Sequence, residues 1–291
     1  MRVGLIDVDG HNFPNLPLMK ISAWHKQRGD DVDWYTGFEH CDIVYMSKVF
    51  DHTPDYVTEI QADKVVRGGT GYGLKNQLPY EIEHIYPDYG IYPDLTQDIA
   101  YGFLSRGCPR GCKFCIVAEK EGRCARQVAY LSEFWRGQKC IKLLDPNLLA
   151  CIKWRFLLDE LIASKSWVDF TQGLDIRLMT EEKVEKLNQV KTKMIHFAWD
   201  NYEFDTFRKL EAYRGKFKLD GRKLRVYVLT NYDTTHEQDL ERVYKLRDLD
   251  YDPYVMVYDK SHAPRITRRL QRWVNNKIIY RSCPDFCDYQ G

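Results

Sequence analysis

The chain of 291 residues has no long apolar run. Its apolar runs, such as those at 43–46 and 226–229, fall far short of the roughly 18 residues a membrane helix needs. It has no excess charge of one sign either: 43 Lys and Arg stand against 42 Asp and Glu, a net charge of +1. Nothing global therefore draws it to a nucleic acid or a membrane, although a local patch still can. Internal repeats and low-complexity segments are absent, which excludes solenoids and arrays. The opening Met-Arg-Val-Gly-Leu-Ile-Asp-Val-Asp places acids where a secretion signal keeps its apolar stretch. The expectation is a cytoplasmic protein without a membrane partner. Twenty Tyr and seven Trp argue against disorder, and a chain this long buries a core without disulfide staples.

What is there reads as two patterns. Residues 3–8 form a strand, followed by an amphipathic stretch with Leu18, Ile21, Ser22 and Trp24 that ends near Gly29; Pro17 suits its first turn. Residues 32–35, 42–46 and 64–66 are further strands, the last just before Gly68-Gly69-Thr70-Gly71. That order predicts a small α/β unit with a mostly parallel sheet. Residues 74–97, rich in Pro, Tyr and acids without period, read as a linker. From Ala100 on, strands at 100–104, 140–144, 168–172, 194–198, 224–229 and 254–258 alternate with helices near 131–137, 151–164, 180–190, 202–214 and 235–249. Thr235 with Gln238 marks a capping box on the last of these helices. Six alternations predict a parallel β/α array, open or a partial barrel, with ligands at the carboxyl ends of the strands. The expected domains are a cap with its linker over 1–97, the array over 98–260 and a basic helical extension over 261–291.

Cysteine carries the chemistry. The nine cysteines are an odd number, and three of them cluster in Ser105-Arg-Gly-Cys-Pro-Arg-Gly-Cys-Lys-Phe-Cys115. Clustering of this kind in a chain without a secretion signal means metal more often than disulfide. Cys108, Cys112 and Cys115 form C-x3-C-x2-C directly after the first strand of the array. Gly107, Pro109 and Gly111 keep the loop out of a helix and let three thiolates converge. Three thiolates on a cubane cluster leave one iron without a protein ligand, open to a substrate. With Cys124 as a fourth thiolate, the same residues read as a structural zinc site. The chain would then be a zinc-stabilised α/β protein that binds nucleic acid.

The cysteine loop and the β/α units after it resemble the radical S-adenosylmethionine superfamily over about residues 98–260. The resemblance implies a partial (β/α)6 barrel and a 4Fe-4S cluster held by Cys108, Cys112 and Cys115. The open iron would bind S-adenosylmethionine and cleave it reductively to a 5′-deoxyadenosyl radical. It also implies a one-electron reductant such as flavodoxin or ferredoxin. Phe114 fills the aromatic position before the third cysteine, near the adenine. Where the family commonly has Gly-Gly-Glu, this chain has Leu144-Asp145-Pro146-Asn147, similar to an Asp-Asp/Asn variant, with Asp145 and Asn147 as acceptors for the cofactor's amino group. Further cofactor contacts are expected at strand ends. They are Gln172 and Arg177, whose fork suits a carboxylate, then Asp200, Asn231 and Tyr258 flanking the adenine. Asp233 lies in the same ring of loops. The plain alternatives are an Arg177 salt bridge to Asp175 or Asp200, and His196 as a core histidine.

The N-terminal unit resembles a shortened cobalamin-binding domain. Asp9-Gly-His11-Asn-Phe-Pro14 is similar to the D-x-H-x-x-G ligand motif, but Pro14 stands where Gly belongs. The reading therefore favours a degenerate Rossmann-like cap without cobalamin, its Gly68–Gly71 turn a common glycine-rich turn. Residues 260–281 hold seven Lys and Arg and no acid. Ile266, Leu270, Trp273 and Val274 make an apolar stripe, with Arg265, Arg268, Arg269 and Arg272 off it. Such a helix offers a phosphate-bearing substrate or nucleic acid a contact, or is a solvated face. Cys283 and Cys287 read as thiols of the tail.

Overall fold

A computed structural model of the chain describes every residue except His11, so the proposed D-x-H motif falls partly outside the described residues. The fold is mixed α/β and is organised by two parallel sheets. One has four strands in the order β2-β1-β3-β4 and the other six in the order β12-β11-β10-β9-β8-β5. The chain divides into two compact units, Met1–Arg123 with Gln127–Ile141, and Cys124–Arg126 with Lys142–Gly291.

In the first unit the smaller sheet comprises β1 (Arg2–Asp7), β2 (Asp31–Trp34), β3 (Cys41–Ser47) and β4 (Ala62–Gly68). The helix α1 (Leu16–Gln27) joins β1 to β2; Asn15 caps it by accepting from the Leu18 amide, with Pro17 in the first turn. Alternation along β1 sends Val3 and Leu5 to the face that packs with Leu18 and Ile21 of α1. Ile6 goes to the opposite face, with Val44 and Met46.

Residues 74–97, expected as a linker, are built into this unit. They carry α2 (Tyr80–Glu83) and α3 (Pro93–Thr96). Ser22 Oγ and Lys26 Nζ each donate to Asp88 at 2.7 Å, and Lys20 pairs with Glu83 at 3.0 Å. Tyr89 Oη donates to the Phe134 carbonyl at 2.7 Å. These ties between side chains distant in sequence need no apolar period, which is why the pattern missed them.

After β5 (Ile99–Gly102) come the two-residue strands β6 (Ser105–Arg106) and β7 (Arg126–Gln127), separated by α4 (Val117–Lys120). The helix expected near 131–137 is a single 3-10 turn, Leu131–Glu133, and the chain turns away at Gly137, whose φ is +100°.

The boundary between the units falls within β8 (Cys140–Leu143), and the second unit then repeats strand and helix. Its further elements are α5 (Trp154–Ser164), β9 (Trp167–Phe170), α6 (Glu181–Gln189), β10 (Thr192–Ala198), α7 (Phe204–Arg214), β11 (Leu224–Thr230), α8 (His236–Asp248) and β12 (Asp252–Val257). The pairs β9–β10, β10–β11 and β11–β12 run parallel. Thr235 and Gln238 form the capping box of α8. Last come α9 (Arg265–Asn275) and α10 (Lys277–Ser282). In α9 the buried face is Thr267, Leu270, Trp273 and Val274, while Ile266 is 40% exposed. The apolar stripe is thus one residue out of the expected register at its start, because Thr267, not Ile266, lies one turn before Leu270.

Candidate functional site

The cysteine loop belongs to the first unit and is shaped by its backbone. Gly107 and Gly111 both adopt positive φ, +92° and +58°, as does Gly122 at +92°, a region that side chains with a Cβ rarely enter. The Cys108 amide donates to the Gly122 carbonyl at 3.1 Å, closing the loop on itself. Cys112 and Cys115 form the ends of a turn in which the Cys115 amide donates to the Cys112 carbonyl at 3.0 Å. A four-residue turn of this kind brings its ends within about 7 Å. Any Cβ on Gly111 would meet the Arg123 guanidinium at 3.1 Å.

The loop's base is held by charge. Glu121 accepts from the Gly107 amide at 3.0 Å and pairs with Arg106, which also reaches Glu83 at 3.2 Å. Cys115 is exposed, Cys108 and Cys112 half-buried, and Phe114 half-buried between Lys113 and Cys115. Lys120 Nζ donates to Thr70 Oγ1 at 2.6 Å, linking α4 to the glycine turn after β4. Gly69 of that turn has a packing reason: a Cβ there would lie 2.3 Å from the Lys48 carbonyl oxygen.

The remaining candidates lie in the second unit, at or just beyond the carboxyl ends of its strands. Asp145 and Asn147, after β8, are buried at 4% and 3% exposure. Gln172, after β9, is exposed and makes no side-chain hydrogen bond among the described residues. Arg177 donates through Nε to Asp175 at 2.8 Å, the ion pair given above as its plain alternative. Asn231 and Tyr258 come together: Asn231, at φ +62°, donates its side-chain amide to the Tyr258 carbonyl at 2.8 Å. The Tyr258 ring meets Tyr232 edge-on at 4.9 Å.

Asp200, after β10, is a perturbed acid. Burial pushes its carboxyl up to about 6; Arg177 and Arg242 pull the other way, and Asp175 and Asp233 add to the rise. A carboxyl raised in the fold leaves stability intact at low pH and withdraws it as pH climbs through the folded value. Asp200→Asn should therefore leave stability little changed at about pH 4 and raise it at about pH 8 by up to about 3 kcal/mol. Urea unfolding at the two pH values checks this; an equal effect at both would overturn the assignment of burial as the cause.

A residue outside the expected set holds these strand ends in place. Arg242 of α8 is fully buried and donates to the carbonyls of Trp199 at 2.5 Å and Leu229 at 2.7 Å, and to the Asp239 carboxylate at 2.6 Å. Thr234 Oγ1 donates to the same carboxylate at 2.5 Å. Burial raises the Asp239 pKa and lowers that of Arg242, and each group's charge opposes the shift of the other. In sequence the pair looks like any i, i+3 couple on a solvated helix; only its closeness to Val243 and Leu246 hints at burial.

Below the strand ends, one face of the sheet is polar. Arg225 donates to Asp252 at 2.8 Å, and Lys277 pairs with Asp252 at 2.6 Å. His196 donates through Nδ1 to the Phe170 carbonyl at 3.0 Å, lies 3.7 Å from Asp169 and stacks on Tyr227 at 5.0 Å. Burial lowers its pKa, with Asp169 opposing, so the ring is neutral at physiological pH. His196 is a satisfied core histidine. On β11, Val226 and Val228 are fully buried, while Arg225 and Tyr227, which alternate with them, are half-buried.

Among the described residues, no three His, Cys, Asp or Glu side chains stand gathered as the ligands of one ion. The fit of an iron–sulfur cluster therefore rests on the donor chemistry: three thiols on one short loop, turned by glycines, with one of them exposed. No protein-family model matches the chain, and no curated protein matches it.

Proposed function

We propose that this chain is a radical S-adenosylmethionine enzyme. The observation that carries the reading is the C-x3-C-x2-C loop, which follows β5 and the two-residue β6 and is shaped by Gly107, Gly111 and Gly122. Cys108, Cys112 and Cys115 would hold a 4Fe-4S cluster through their thiolates. Such a cluster would supply the single electron that reductive cleavage of S-adenosylmethionine needs.

The chain's own residues have plainer tasks. Phe114 offers a ring to the adenine, and Arg177 a planar fork to the methionine carboxylate, in exchange for part of its hold on Asp175. Asp145, Asn147 and Asp200 supply acceptors for the amino group and the ribose hydroxyls, and Gln172, Asn231 and Tyr258 complete the contacts at the strand ends. The electron comes from a one-electron donor such as flavodoxin or ferredoxin.

The finer fold reading is a partial (β/α)6 barrel, with the N-terminal unit a small Rossmann-like cap. An open parallel sheet covered by helices is apolar on both faces. Here β11 buries Val226 and Val228 on one side and carries Arg225 and Tyr227 on the other, which supports a helix-covered outside and a polar inside.

Anaerobic reconstitution with iron and sulfide tests the proposal. About four iron and four sulfide per chain are expected, with an EPR signal after dithionite that shifts on adding S-adenosylmethionine, and 5′-deoxyadenosine as product. One zinc per chain and no iron would overturn it in favour of a zinc-stabilised binding protein.

A further inference from the structure

The fold uses one of the four arginines of α9 and leaves three. Arg269 donates to the carbonyls of Gly291 and Tyr289 and lies over the Phe286 ring at 5.4 Å. Arg265, Arg268 and Arg272 are exposed, and none makes a side-chain hydrogen bond or ion pair among the described residues. Lys277, nearby in sequence, is held by Asp252. Positions i, i+3 and i+7 put the three guanidiniums on one face of the helix, about 4.5 and 6 Å apart along its axis. Arg265 also borders an open cleft of about 420 Å³ with Ile266, Arg269 and Gln290.

We propose that this row is a docking surface for the phosphodiester backbone of a nucleic acid. The guanidinium fork matches phosphate oxygens two at a time. One strand carries a phosphate about every 3.4 Å of helix axis, so the row spans about three. Residues 260–281 contain no acid to neutralise it, and with a net charge of +1 the attraction is local to this face. A bilayer fits less well. The apolar side of α9 (Leu270, Trp273 and Val274) is already buried in the core, so the helix has no apolar face to sink among headgroups. A protein partner would need a buried apolar or aromatic anchor, and this face offers only Ile266.

Binding of a labelled oligouridylate and of a duplex DNA of about twenty base pairs to the full chain tests this, by anisotropy between about 50 and 200 mM salt. With three phosphates neutralised, log affinity should fall against log salt with a slope of about −2 for the single strand or about −2.7 for the duplex. Replacing Arg265, Arg268 and Arg272 together by alanine should weaken binding at least about tenfold and flatten the slope. Replacing all three by lysine should keep the slope and lose part of the affinity. All three positions are exposed, so the variants should melt with the parent chain. The proposal fails if neither oligonucleotide binds, if the alanine variant binds as the parent does, or if only phosphatidylserine vesicles bind through these arginines. It owes nothing to the cysteine loop, so its outcome stands apart from the enzyme reading.

Discussion

Alanine at Cys108, Cys112 or Cys115, one at a time, is expected to take 5′-deoxyadenosine formation down to the level seen without protein. The loss should exceed the roughly 100-fold typical of removing an outer-shell partner of a metal ligand. It should be similar at all three positions, because a cluster held by three thiolates has no ligand to spare. Iron content should fall with the activity. Cys124→Ala is the discriminating control. In a four-thiolate zinc site it would be as damaging as the others, whereas in the three-thiolate reading it leaves both iron and product formation near the parent level. Product assays and metal analysis on the four variants decide the matter, and full activity in any of the first three would sink the cluster assignment.

The second large effect concerns stability. Arg242→Leu should cost about 3–5 kcal/mol, because it leaves the Asp239 carboxylate buried without its cation and frees the Trp199 and Leu229 carbonyls. Near the midpoint this corresponds to a fall in Tm on the order of 10 °C. Adding Asp239→Asn to Arg242→Leu should recover much of the loss, since a neutral amide in that position carries no charge to bury. Thermal melts of the parent, the two single variants and the double variant form a cycle. If the losses simply add, the two groups do not depend on one another. Arg242 ties the carboxyl end of β10, and the Asp200 beside it, to that of β11. If the proposed function holds, the single variant should therefore also weaken S-adenosylmethionine binding well below its melting point.

The strands and helices of the second unit lie within a few residues of where the sequence places them. Their signals are local: short β-branched and aromatic runs for the strands, and a reciprocal cap at Thr235 and Gln238 for α8. The cysteine loop was legible for the same reason, its three thiols and the glycines that turn it being contiguous. What the sequence hid depends on partners far along the chain. Residues 74–97 lack an apolar period, yet Asp88 and Glu83 take bonds from Ser22, Lys26 and Lys20 of α1. Arg242 looks like a surface charge, because its closeness to Val243 and Leu246 is the sole local sign that the guanidinium is buried. For Arg177 the sequence offers both a carboxylate fork and a salt bridge to Asp175 or Asp200, and the fold shows the pair with Asp175. On α9, a shift of one position exchanged Ile266 for Thr267, since a helix has only about 100° between neighbours and three arginines left the stripe's edge ambiguous.

The C-terminal residues have a bearing on how the molecule opens. Chain ends ordinarily fray first. Here Phe286 and Tyr289 are buried in one cluster with Trp273, Leu270 and Val243, and the Phe286 amide donates to Tyr244 Oη at 2.9 Å. Arg269 fastens the final carbonyls to α9. Amide exchange along residues 286–289 should accordingly be governed by the same cooperative opening as α9 and the inner turns of α8, with no faster frayed population at the tail.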